Sequence, residues 1–181
     1  MSKIKQLIDS YKKFIAVPWK EDAAALQRVI FCVYNENDEL KLRAKIDEFE
    51  IVTKQTKHDW SVFDITDTFA TWLISQRYAR SYFVKPHLIQ TLLPKYQEYI
   101  VAQFQLFLSE NGVDENSVVA IKGVGSLFGF LKVKDVVDKL APLVKGRLLV
   151  FFPGSYENNN YRLLDGYDGW NYLAVPITAD K

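Results

Sequence analysis

Three short apolar runs constrain this chain more than any other feature: Arg28-Val-Ile-Phe-Cys-Val-Tyr34, Ser117-Val-Val-Ala-Ile-Lys122 and Arg147-Leu-Leu-Val-Phe-Phe152. A strand with one wet face alternates apolar and polar residues. A β-branched and aromatic run without that alternation reads as a strand covered on both faces. Trp60-Ser-Val-Phe-Asp-Ile65 reads as a further strand, and Tyr172-Leu-Ala-Val-Pro-Ile177 as the last. Pro176 cannot donate to a ladder, which puts that strand at an edge.

Helical spacing fills the intervals. Ile4, Leu7, Ile8 and Tyr11 share a face, with Ser2 available as a cap and Pro18 beyond the end. Leu42, Ile46, Phe49 and Val52 share another, through about residue 55. Phe69, Trp72 and Leu73 follow a capping Thr66 or Asp67. Residues 78–87 read as a connection ending at Pro86. The longest helical stretch runs from about Leu88 to Glu110, with Tyr96, Ile100, Phe104 and Phe107 in register, a kink or break at Pro94 and a stop at Asn111-Gly112. Val133, Val136, Val137 and Leu140 mark a helix that Gly146 ends. Strands alternating with helices predict an α/β fold in a single domain, 1–181: a mostly parallel sheet of about five strands flanked by helices on both faces. Residues 1–20 would form an N-terminal helix and Pro-Trp connection, and 28–177 the sheet core.

Charge and cysteine content narrow the function classes. With 23 Lys and Arg against 22 Asp and Glu, the net charge is +1, which argues against a free-standing nucleic-acid binder. One cysteine forms no internal disulfide, and two histidines leave little for a zinc site. No apolar run reaches the roughly 20 residues a membrane helix needs, and the first residues lack a signal-peptide core. The expectation is a cytoplasmic protein with no membrane contact.

In an open α/β sheet, ligands bind beyond the carboxyl ends of the strands. Those ends would gather Asn35–Asp38, Asp64–Asp67, Gly123–Ser126 and Gly154–Asn158. The turn Gly123-Val-Gly-Ser-Leu-Phe-Gly129 is the nearest thing to a phosphate cradle, and Gly123, Gly125, Ser126 and Gly129 with Asp64 and Asp67 make a candidate ligand site. Against it, Gly129 is one residue late for the dinucleotide fingerprint and no Walker lysine is present. Glycine serving turn geometry alone is the competing reading. Asp38, Asp64, Asp67 and Glu157 could hold Mg²⁺ through oxygens, although acidic residues after strands more often cap helices. Cys32 lies mid-strand and reads as an inert buried thiol. His58 and His87 read as surface or turn histidines.

The stretch from Gly154 to Tyr172 is the second unusual feature. It holds Tyr156, Tyr161, Tyr167, Trp170 and Tyr172 with four asparagines and Arg162, and no helical periodicity. Tyr, Trp and Arg dominate interface hot spots, so Tyr156, Glu157, Asn158, Asn159, Asn160, Tyr161, Arg162 and Trp170 form a candidate partner-binding surface. A self-packed loop is the alternative. Lys3, Lys5, Lys12 and Lys13 make the first helix basic, which suits either docking or a solvated face.

Six stretches carry a family resemblance: Phe14-Ile-Ala-Val-Pro-Trp19, Gln27-Arg-Val-Ile-Phe-Cys-Val-Tyr34, Gly123-Val-Gly-Ser-Leu-Phe128, Arg147-Leu-Leu-Val-Phe-Phe-Pro-Gly154, Glu157-Asn-Asn-Asn-Tyr-Arg-Leu-Leu-Asp165 and Asp168-Gly-Trp-Asn-Tyr-Leu-Ala-Val-Pro-Ile177. In these the chain resembles the BrxB family of BREX (bacteriophage exclusion) defence systems. The resemblance implies an accessory subunit of a phage-defence complex, with a PglZ-type protein as direct partner and other BREX components in reach. It supplies no catalytic motif and no cofactor. The expected function is therefore non-enzymatic assembly by protein–protein contact. The alternative is a nucleotide- or phosphate-binding module, a degenerate NTPase using the Gly123–Gly129 turn.

Overall fold

The computed structural model describes residues 2–166 and 169–180. Its five parallel strands are β1 (Val29–Tyr34), β2 (Asp59–Asp64), β3 (Ser117–Lys122), the first half of β4 (Arg147–Glu157) and β7 (Val175–Ile177). They lie in the order β2-β3-β4-β1-β7. The sheet is mixed, not purely parallel. Beyond Phe152, β4 continues into an antiparallel ribbon with β5 (Asn160–Leu163), which in turn pairs with β6 (Trp170–Asn171). The proline-bearing strand lies at an edge beside β1, as Pro176 requires, and is confined to three residues.

The unalternating runs are explained by what covers them. Along β1, Val29, Phe31 and Val33 enter one core layer while Ile30, Cys32 and Tyr34 enter the other. β4 divides likewise, with Leu148, Val150 and Phe152 on one side and Leu149 and Phe151 opposite. Successive side chains point to opposite faces, so a strand with helices on both sides needs apolar residues at every position.

One layer is closed by α1 (Lys3–Ile15) and α3 (Ile46–Gln55), which bury Leu7, Tyr11, Ile15, Phe49 and Val52. Tyr11 donates to Thr53 Oγ1 at 2.6 Å, and Thr53 donates onward to the Phe49 carbonyl, so both buried hydroxyls are satisfied. The apolar face of α1 is thus used inside the fold, leaving its lysines towards solvent. The helical reading from Leu42 to about residue 55 divides into α2 (Glu39–Arg43) and α3, with a break at Ala44-Lys45.

The other layer is closed by α4 (Thr68–Ser75), α6 (Leu93–Glu110) and α7 (Val133–Leu140). Tyr96 of α6 donates to Thr68 Oγ1 at 2.7 Å, fixing α6 against the start of α4. Pro94 falls in the first turn of α6, where a missing N–H costs nothing. Residues 78–87 are not an irregular connection. They hold α5 (Ala79–Val84) and the start of a 3-10 helix, Pro86–Leu92. At the amino ends of the central strands β1 and β4, Arg28 and Arg147 donate to the carbonyls of Ala23, Val144 and Gly146, and Arg147 lies over the Trp19 ring at 4.6 Å. Trp19 also stacks on His58 with centroids 3.6 Å apart. Together these contacts tie the Pro-Trp connection to the sheet.

Candidate functional site

At the carboxyl edge, a chain of polar contacts crosses from β1 to β3. Tyr34 ends β1 and donates to Glu39 Oε2. Glu39 Oε1 accepts from Arg43 Nε at 2.7 Å, and Arg43 Nη2 donates to Thr66 Oγ1 at 3.0 Å. The Thr66 hydroxyl donates to Asp64 Oδ1 at 2.6 Å, and the Thr66 backbone nitrogen reaches the same oxygen at 2.9 Å. Lys122, at the end of β3, approaches Asp64 Oδ2 at 3.8 Å.

These contacts set the charge states. Partial burial pushes the Asp64 carboxyl upward, but the Thr66 hydrogen bonds, Lys122 and Arg43 outweigh it and hold the group below the ordinary carboxylate value. Arg43 is pushed up by its bond to Glu39 and stays cationic. Burial and the neighbouring Glu39 push the Tyr34 hydroxyl up, so it remains a neutral donor.

A cleft of about 240 Å³ opens beside this chain. Glu39 and Arg43 line it from α2, Thr66 from the turn after β2, Gly123 and Ser126 from the turn after β3, and Pro153 from β4. The structure therefore brings three of the four expected segments to one place. The fourth, Gly154–Glu157, lines a neighbouring groove of about 190 Å³ with Asn35, Asp38 and the start of α1. Asp64 and Asp67 line neither space but a separate one beside Thr71, Tyr99 and Gln103, and Gly129 lines none of the three.

The glycine turn has its own geometry. Gly123 is left-handed, φ +82°, and a Cβ there would collide with Thr66 Oγ1 and sit 2.7 Å from the Thr66 nitrogen. Its missing side chain admits the Asp64–Thr66 turn. The single 3-10 turn Val124–Leu127 follows, and α7 begins only at Val133, so the glycines do not open a helix. Ser126 Oγ donates to the Gly123 carbonyl at 2.7 Å. The cleft is smaller than the roughly 300–1,000 Å³ usual for small-molecule pockets. Of the charged side chains lining it, Glu39 and Arg43 are bonded to each other, and Glu36 lies at its margin. Asp38 pairs with Lys41 at 2.7 Å, and among the described residues no group of three or more His, Cys, Asp or Glu is placed to hold a metal.

The stretch from Gly154 is a hairpin rather than an irregular connection. Glu157 pairs with Asn160, Tyr156 with Tyr161, and Ser155 with Arg162. Asn158 and Asn159 make the two-residue turn, with φ +51° and +63°. Two successive positive φ values belong to the type I′ turn, whose twist matches paired strands and which asparagine tolerates. Tyr161 is completely buried, with ring centroids 4.7 Å from Phe31, 5.7 Å from Phe152 and 5.5 Å from Trp170. Tyr161 and half-buried Trp170 therefore anchor the ribbon. Tyr156 is half-buried against Tyr161, while Glu157, Asn158, Asn159, Asn160 and Arg162 face solvent. Tyr167 and Asp168 lie outside the described residues.

With the fold and both surfaces in view, comparison with known proteins decides the family. The model of the family described as BREX protein BrxB matches residues 60–176. The chain belongs to the BrxB family. Membership makes it a component of BREX, a phage-defence system, and the match takes in the glycine turn and the hairpin and ends within the edge strand. The resembling stretches at 14–19 and 27–34 precede the matched residues. No curated protein and no solved structure matches the chain.

Two parts of this edge escape sequence reasoning. Arg43, the cation that bridges β1 to β2, sits in a five-residue helix, where its only local signal is the i,i+4 spacing to Glu39. The hairpin does carry a signal, an asparagine pair at the centre of Glu157–Asn160, but three consecutive asparagines leave the turn's register open.

Proposed function

We propose that this BrxB-family chain is a non-catalytic assembly subunit of a BREX complex, and that its β4–β5 hairpin meets a PglZ-type protein. One observation carries the reading. A two-residue turn and a Tyr161–Trp170 anchor hold Tyr156, Arg162 and a row of asparagines in a fixed register at the edge of the domain. A surface ordered before binding loses less entropy on association. Tyr and Arg are the residue types whose truncation most weakens interfaces. Its interior bonding and small volume favour a structural role for the neighbouring cleft.

The test is size-exclusion chromatography with light scattering, on this protein alone and mixed with its cognate PglZ-type protein. A Tyr156→Ala/Arg162→Ala variant is run beside the parent. Coelution of the parent and at least tenfold weaker capture of the folded variant support the hairpin. Equal capture by both removes the hairpin from the interface. Separate peaks throughout, followed by a calorimetric response to nucleotide with Mg²⁺, would favour the phosphate-binding alternative.

A further inference from the structure

We infer that the α4–α5 face is a second docking surface, separate from the hairpin, that receives a protein partner with an acidic rim around an apolar centre. Helix α5 is six residues long and none of them is fully buried. A helix that short gains little from its own hydrogen bonds and relies on packing. Yet this region turns apolar side chains outward: Ile74 is 69% exposed, Tyr78 58%, Phe83 62% and Val84 77%. Four exposed apolar side chains within eleven consecutive residues, on α4, the link after it and α5, mark an interaction site, whereas single exposed apolar residues do not.

Charge identifies what covers it. From residue 68 to residue 97 the chain holds Arg77, Arg80, Lys85 and Lys95 and no acidic residue. With a net charge of +1 overall, the remaining residues are net acidic, so positive charge is concentrated on this stretch. All four cations are exposed, and among the described residues none makes an ion pair. Arg77 instead lies 5.5 Å from the Tyr78 ring centroid. A surface with apolar groups among unpaired cations complements an apolar surface rimmed by carboxylates.

The same features argue against other occupants. A second copy docked by a two-fold axis would set these cations against themselves. A nucleic-acid backbone offers nothing to Ile74 and Val84. Phe83 and Val84 are consecutive on a helix and so point roughly 100° apart, which suits a concave protein surface better than a lipid plane.

The experiment places a photo-crosslinking amino acid at Phe83 of the full chain in cells carrying the complete BREX system. Adducts are mapped by mass spectrometry, beside an Arg77→Glu/Arg80→Glu/Lys85→Glu variant with the same probe. The expected result is one protein adduct on an Asp- and Glu-bearing apolar segment, reduced at least tenfold by charge reversal. Reversing the mapped acidic residues to Lys should restore it. No protein adduct, an adduct to a second copy, or an adduct that charge reversal leaves unchanged overturns the proposal. So does binding of the purified protein to duplex DNA or to phosphatidylglycerol vesicles that the triple variant loses. Thermal unfolding confirms that the variant is folded, and the Tyr156→Ala/Arg162→Ala protein carrying the same probe separates this face from the hairpin.

Discussion

The Tyr161 hydroxyl donates to the Ala174 carbonyl at 2.8 Å, joining the hairpin to the segment that leads into the edge strand β7. Both partners are buried. Tyr161→Phe removes the donor and strands a buried carbonyl, which costs roughly 1–3 kcal/mol. Tyr161→Ala also opens a void among Phe31, Phe152 and Trp170 and costs roughly 3–5 kcal/mol. Urea denaturation should rank the variants in that order. A loss for Tyr161→Ala below 1 kcal/mol would mean that the ribbon is not anchored through this ring.

The asparagine turn makes a second expectation. Asn159→Gly should be neutral or stabilising, because glycine enters the left-handed region without a Cβ clash. Asn158→Val should destabilise by about 1–2 kcal/mol, since a β-branched residue is strained at positive φ. Amide exchange at Glu157 and Asn160 reads this locally, and faster exchange in the glycine variant would contradict it.

Gly123 and Gly129 form a matched pair, both at φ +82°. A methyl group at Gly129 would meet open space, whereas one at Gly123 would meet Thr66 and Asp64. Gly129→Ala should cost about 1 kcal/mol from backbone strain alone. Gly123→Ala should cost clearly more, with the Arg43–Thr66 contact displaced. Equal melting temperatures for the two variants would show that Gly123 serves only its dihedral angle.

Asp64 predicts an acid limb in the stability profile. Its folded pKa lies below its unfolded value, so the stability it contributes is present above about pH 4, the ordinary aspartate value, and is lost as pH falls through the lower folded value. Asp64→Asn should flatten that limb and leave the slope near neutral pH unchanged. A parallel loss of stability at every pH would assign Asp64 a role that does not depend on its charge.

Cys32 is completely buried in β1, and burial pushes its thiol up. A disulfide exchange reagent should label it only through unfolding, at a rate that rises with urea. Rapid labelling of the native protein would place the strand nearer solvent than it lies here.

Much of the fold is legible because burial on two faces leaves an unmistakable residue pattern. The runs at β1, β3 and β4 specify central strands, and Pro176 specifies one of the two edges, while nothing in the residues of β2 placed it at the other. Segments whose structure depends on other segments are less legible. The 79–84 helix buries no residue completely and so shows no apolar stripe. Tyr161 carries the same residue type as a surface hot spot, and only its strand partners show that it points inward. Of the proposed sites, the convergence at the sheet edge follows from fold class, whereas the Arg43 bridge follows from a tertiary approach that no local spacing encodes.

The order of the central sheet has a consequence for the newborn chain. Val29 pairs with Leu148 on one side, and Ile30 with Val175 on the other. On the ribosome the first strand, with all six residues buried in the finished fold, must therefore wait until β4, more than a hundred residues later in the chain, has been translated before either flank is covered. Such distant pairing slows folding and prolongs exposure to misassociation. What can shelter β1 meanwhile is α1, which precedes it in the chain and whose Ile4, Leu7 and Ile8 share a core layer with Ile30 and Cys32.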